Sequence, residues 1–212
     1  MEDIETISSV FSSLSIVNEC DKVVCFSPSF ESGHYHIKKE NEQCSLSIGK
    51  IMPNKNHSDT HKISFVNTIL GGYFGSRLMQ NIREDKGWTY GISSAIFSFE
   101  DISSLMIGAD VLKNKEIATI EEIKKEIIKL QTELVSEKEL VLLRNYLKGK
   151  LVKGFDGAFE QADRFFTINT FGLNWSFYDD YIETIETITA EEVREVAIKY
   201  FSFDELVIVS AG

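Results

Sequence analysis

The sequence predicts an α+β fold: a two-layer domain in which one mostly antiparallel sheet of about six strands is covered by helices. Strand-like segments cluster at residues 22–49 and 89–109, with a last one at 205–210. Helical periodicity fills the gap at 58–85 and dominates the second half of the chain. Strands and helices do not alternate strictly, which argues against a parallel, doubly wound sheet. At 212 residues, 43% hydrophobic and with 2 Pro, the chain reads as a single domain over 1–212 without a rigid linker.

Taken in order, residues 1–14 space Ile4, Ile7, Val10 and Phe11 as a short amphipathic leading helix, with a linker to residue 20. Residues 22–27 and 33–39 read as strands. Residues 43–49 alternate, with Cys44, Leu46 and Ile48 on one face and Gln43, Ser45 and Ser47 on the other. From Ser58 to Leu70 a helical stripe of Ile63, Val66, Ile69 and Leu70 is stopped by Gly71-Gly72. A second helix is expected over 74–85, closed by Gly87. Residues 89–99 and 102–109 form an antiparallel hairpin about a Glu100-Asp101 turn.

Ile117, Ile120, Ile123, Ile127, Leu130 and Leu134 mark one face of a long helix. Ser136 to Glu139 is a capping box opening a helix striped by Leu140, Leu143, Leu147 and Leu151. Aromatic helices follow at 156–171 and 175–186, read as core or domain interface. Thr189 to Glu192 is a second capping box, for a helix ending near Tyr200. The apolar run 205–210 reads as a strand buried on both faces. A peptide strand could add at an exposed edge in residues 43–49 or 92–99. The ends at Met1-Glu-Asp and Val209-Ser-Ala-Gly suggest a piece of a longer chain.

Charge and cysteine content exclude several function classes. With 33 acidic against 22 basic residues, the net charge is −11, which opposes nucleic-acid backbones and anionic membranes. No apolar stretch approaches the length of a membrane span, and the compartment stays open between cytoplasm and periplasm. Cys20, Cys25 and Cys44 lack C-x-x-C spacing, so neither a disulfide framework nor a zinc ribbon is expected.

Four histidines are the whole supply for metal chemistry. His57 and His61 stand four apart, but Ser58 and Thr60 occupy the positions where zinc helices carry Glu, leaving no general base. His34 and His36 share one face of a strand, with no third ligand close in sequence. Both pairs therefore read as solvated histidines. No G-x-S-x-G elbow and no phosphate-binding glycine loop is present.

One segment remains, Leu70-Gly-Gly-Tyr-Phe-Gly-Ser-Arg-Leu78 continuing to Ile82-Arg-Glu-Asp-Lys-Gly-Trp-Thr-Tyr90. It resembles the C-terminal domain signature of the pitrilysin/insulinase-like zinc peptidases, which include mitochondrial processing peptidase. Leu70, Gly71, Gly72, Phe74, Ser76, Arg77, Leu78, Arg83, Glu84, Gly87 and Tyr90 match, and Ile82 replaces a family Leu. The resemblance covers about residues 20–212. It implies a division of labour in which a separate domain binds zinc through H-x-x-E-H and this domain faces it. Arg83 and Tyr90, seven residues apart, match the family's pair that holds substrate beside the metal. H-x-x-E-H occurs nowhere in the chain. The resemblance thus implies a zinc-free helper domain, inactive alone, with zinc in a partner domain or subunit, a homo- or heterodimeric assembly, and extended peptide as substrate. On local physics alone, Arg83 paired with Glu84 and Tyr90 half-buried in the sheet is the alternative reading. The rival function is a non-catalytic scaffold or a peptide-binding module that has lost peptidase activity.

Overall fold

Strict alternation builds the middle of the sheet. In β2 (Gln43–Met52), Cys44, Leu46 and Ile48 are buried while Gln43, Ser45 and Ser47 are exposed, and the strand runs three residues further than expected. The computed structural model describes residues 2–12, 31–99 and 101–212. Residues 1–30 form one unit and residues 31–212 another. Of the first, α1 (Glu2–Ser12) is the expected leading helix.

In the second unit, β1 (Gly33–Ile37), β2, β3 (Thr89–Ser98), β4 (Ser103–Leu112) and β5 (Val207–Ala211) make a five-stranded sheet among the described residues. The order is β1-β5-β2-β4-β3. Only β1 and β5 run parallel; every other pairing is antiparallel. The strand expected over 22–27, with Cys20 and Cys25, lies outside the described residues.

One face of the sheet carries the core. Cys44, Leu46 and Ile48 of β2 stand in register with Val111, Ala109 and Ile107 of β4, and Ile48 with Ile208 of β5. The opposite face, with Ser45, Ser47 and Gly108, is exposed. This corrects the reading of 205–210 as buried on both faces: Ile208 and Ser210 are covered, whereas Val209 is 36% exposed. Helices cover a single layer, so every second residue of β5 faces away from them. The edge reading is corrected for residues 43–49 and holds for 92–98 among the described residues. Residues 43–49 are central, paired with β4 on one side and β5 on the other. β3 is an edge, but the Asn67 amide donates to the Ser94 carbonyl at 3.3 Å and the Ile92 N–H reaches Met79 Sδ at 3.5 Å. Those groups are no longer free for an added strand.

α2 (Thr60–Gly71) is buried around most of its circumference, including Phe65, Asn67 and Thr68 outside the expected stripe. Such a helix belongs to the centre of a core. Its last residue shows why the glycine is needed. A Cβ on Gly71 would lie 2.7 Å from the Ser94 backbone nitrogen. Gly71→Ala is therefore expected to push α2 off β3 and cost about 1–3 kcal/mol, read as a lower urea midpoint with an unchanged m-value.

The helix expected over 74–85 forms differently. The chain turns through Gly72–Gly75, becomes helical at Arg77, and is a π-helix from Met79 to Asp85. Leu78 and Ile82 are fully buried. Gly87 adopts φ +63°, and the N–H groups of Gly87 and Trp88 close onto the carbonyls of Arg83 and Ile82 at 3.0 and 3.1 Å. Left-handed glycine is the usual way to end a helix this sharply.

α3 (Glu116–Thr132) buries Ile120, Ile123, Ile127 and Leu130, while Ile117 and Leu134 at the ends of the stripe stay exposed. α4 (Glu137–Lys153) is capped by Ser136, whose hydroxyl accepts the Glu139 N–H. The reciprocal half of that capping box is missing, because Glu139 reaches to Arg77 instead. The box at Thr189, opening α7 (Ala190–Tyr200), is complete. In α5 (Ala158–Thr170) and α6 (Ser176–Thr187), Tyr178 is buried, but Phe159, Phe165, Phe166 and the neighbouring Trp175 are exposed. These four are not part of the core.

Candidate functional site

The residues between Phe74 and Tyr90 are held by three ties. The Arg77 guanidinium makes a bidentate pair with Glu139, both contacts at 2.9 Å, fixing the start of the π-helix to α4 by a charge-assisted fork. Asn81 donates to Glu122 and Glu126 of α3 at 3.1 and 2.6 Å, and Lys86 pairs with Glu122 at 3.3 Å. Hydrogen bonding from Lys125, joined by Asn81 and Lys86, outweighs desolvation and holds the Glu122 carboxyl down to about 2. The third tie is Gly87, which delivers the chain into β3.

At the start of β3 the pairing shifts by one residue. Thr89 faces Val111 and Ile92 faces Ala109, so three steps on β3 oppose two on β4. The Thr89 hydroxyl fixes this bulge, accepting the Gly91 N–H and donating its one proton among the carbonyls of Asp110 and Gly91, 2.6 and 2.8 Å away. Bulges re-aim side chains. Here the re-aimed residue is Tyr90, 90% exposed rather than half-buried.

Arg83 leaves the π-helix toward it. Its guanidinium carbon is 5.5 Å from the Tyr90 ring centre and 4.8 Å from that of Phe74. Both lie within cation–π range. Arg83 also pairs with Glu84 at 3.3 Å, as the local alternative expected. The structure thus brings together both residues singled out in the sequence and adds Phe74, 61% exposed, as a third wall. Nothing in the spacing gave Phe74 a role, because its contact with Arg83 depends on the turn at 72–76.

The profile of the family described as the peptidase M16 inactive domain matches residues 3–147. The chain belongs to that family. The M16 inactive domain here is 27% identical over 177 residues to the uncharacterized zinc protease YmxG of Bacillus subtilis, covering 84% of this chain and 43% of that protein. An uncharacterized zinc protease of Mycobacterium tuberculosis is 27% identical over 165 residues, covering 76% and 37%. Among solved structures, a peptidase M16 inactive domain from Pseudomonas fluorescens superposes with TM-score 0.79 at 25% identity, over 86% of this chain and 44% of that one. A protease from Helicobacter pylori shares the fold, with TM-score 0.80 at 17% identity over 100% and 52%. The chain spans less than half the length of the curated relatives it matches.

Two of the histidines of this M16 inactive domain make local contacts. His57 Nδ1 accepts the Asp59 N–H at 3.0 Å. His61, 9% exposed, packs against the rings of Phe177 and Tyr181, with centroids 4.4 and 5.3 Å away. Asp59 is engaged by Tyr200 and Lys199, at 2.6 and 2.9 Å, and the Tyr200 hydrogen bond leads in holding its carboxyl low. His34 and His36 behave differently. Both approach Glu116, the first residue of α3, which is 80 residues away from His36 in sequence. Burial raises the Glu116 carboxyl, but hydrogen bonds from Ser210 and His36 outweigh it and leave the group below the usual carboxylate range.

Proposed function

We propose that this chain is the substrate-positioning half of a zinc metallopeptidase, with Arg83 and Tyr90 holding an extended peptide against a zinc site on another domain or subunit. The observation that carries the reading is the exposed Tyr90, turned out by a bulge into contact range of Arg83. The catalytic zinc does not fit this chain's own residues, since H-x-x-E-H is absent from all 212. The chain's contribution is electrostatic. A peptide carbonyl gains negative charge as it becomes tetrahedral, and a permanent cation beside a phenolic O–H donor suits that charge. One well-placed donor is worth about 2.7–4 kcal/mol in other hydrolases. A scaffold role asks nothing of an exposed tyrosine fixed in a bulge, so the positioning reading is preferred.

The test is reconstitution. The purified chain is incubated with extended fluorogenic peptides, alone and with the catalytic half of the same protein. No cleavage by the chain alone and cleavage by the pair are expected. Cleavage by the chain alone overturns the reading, and so does full activity of the catalytic half without it.

A further inference from the structure

β1, at an edge of the sheet among the described residues, lays His34 and His36 opposite Ile208 and Ser210 of β5, two residues of the covered face. Both imidazoles therefore turn under the start of α3. There His34 Nε2 lies 3.2 Å and His36 Nδ1 3.1 Å from the same oxygen, Glu116 Oε1. The Ser210 hydroxyl stands 2.7 and 3.0 Å from the same two nitrogens. All three candidate ligand atoms lie within 4.8 Å of one another. We propose that His34, His36 and Glu116 form a divalent metal site of the zinc class, separate from the Arg83–Tyr90 rim and from any catalytic zinc on a partner.

Geometry and chemistry agree on this. Zinc bonds of about 2.0–2.1 Å in a tetrahedron set ligand atoms roughly 3.3 Å apart. The two nitrogen–carboxylate separations already fall within a few tenths of that value. Two imidazoles and one carboxylate are a borderline-soft donor set, suited to zinc and cobalt more than to calcium or magnesium. The Ser210 hydroxyl, 2.7 and 3.0 Å from the two nitrogens, supplies outer support of the kind that orients such ligands. Glu116 is largely covered, at 12% side-chain exposure, while the His34 and His36 side chains keep 29% and 42%. The cluster therefore borders solvent on its histidine side. Three protein ligands from β1 and α3 would staple the sheet edge to the helix.

The experiment uses the 212-residue chain, stripped with chelator and dialysed. Zinc is titrated by calorimetry and counted by mass spectrometry, and cobalt is added as a spectroscopic probe. Expected are about one metal per chain, a tetrahedral cobalt spectrum, and a melting temperature raised by about 5 °C or more at saturating zinc. His36→Ala and Glu116→Gln should each weaken binding at least about tenfold. His57→Ala and His61→Phe should leave it unchanged. Circular dichroism of the metal-free variants separates lost binding from lost folding. A variant that fails to fold is replaced by His34→Gln, read through the cobalt spectrum. Less than about 0.1 zinc per chain, or stoichiometric zinc surviving both ligand substitutions, overturns the proposal. In the first case the four groups are a hydrogen-bonded network only.

Discussion

Arg83→Ala and Tyr90→Phe, made separately in the reconstituted pair proposed above, are each expected to lower kcat/KM at least about tenfold while bound zinc stays constant. Tyr90→Phe is the cleaner of the two. It keeps the ring that faces Arg83 at 5.5 Å and removes a single hydroxyl from a residue 90% exposed, so folding has no reason to change. Arg83→Ala removes a cation that also touches Phe74 and Glu84, and its melting temperature must be checked beside its rate. Arg83→Lys should recover part of the loss, because charge returns without the planar fork. If the groups act on charge that develops during reaction, kcat and kcat/KM fall together. A rise in KM alone would reassign them to holding the peptide in its ground state. Wild-type turnover in both variants would remove them from the mechanism.

The family motif divides into residues that shape the site and residues that face outward. Gly71 lets α2 approach the Ser94 backbone, Arg77 ties the π-helix to Glu139, and Gly87 makes the turn into β3. Of these, only the Gly87 turn is local, and the glycine positions are legible in the sequence as breaks. The same holds for the alternation of β2 and for the capping box at Thr189, where pattern and structure agree. Where the reading failed, the cause was a long-range partner. Glu139 was placed in a capping box because its partner Arg77 lies 62 residues away. The contact of His34 and His36 with Glu116 is invisible in the sequence for the same reason, since only the β1-β5-β2 sheet order and the packing of α3 bring them together. The π-register of Met79–Asp85 and the bulge at Tyr90 leave no signature in hydrophobic spacing. Both nevertheless decide where Arg83 and Tyr90 point.

The domain should lose stability between pH 7.5 and pH 5.5 because of His61. Burial against Phe177 and Tyr181 is the main cause that lowers its imidazole from 6.5 to about 4. Asp180 acts in the opposite direction, and Lys55, held over the Phe177 ring at 5.8 Å, adds to the lowering. Between those two values the unfolded chain binds a proton that the folded one refuses. Stability therefore rises with pH across this window. The contribution is complete above about 6.5 and is lost progressively toward 4, by about 1 kcal/mol from pH 7.5 to 5.5. Urea midpoints at three pH values would measure it, and His61→Phe should flatten the slope because an aromatic ring fills the same pocket without a titratable nitrogen. Carboxylates held low, such as Glu122 and Asp59, lose their stabilisation only at more acid pH. A wild-type slope that persists in His61→Phe would show that other groups, and not His61, carry the pH dependence.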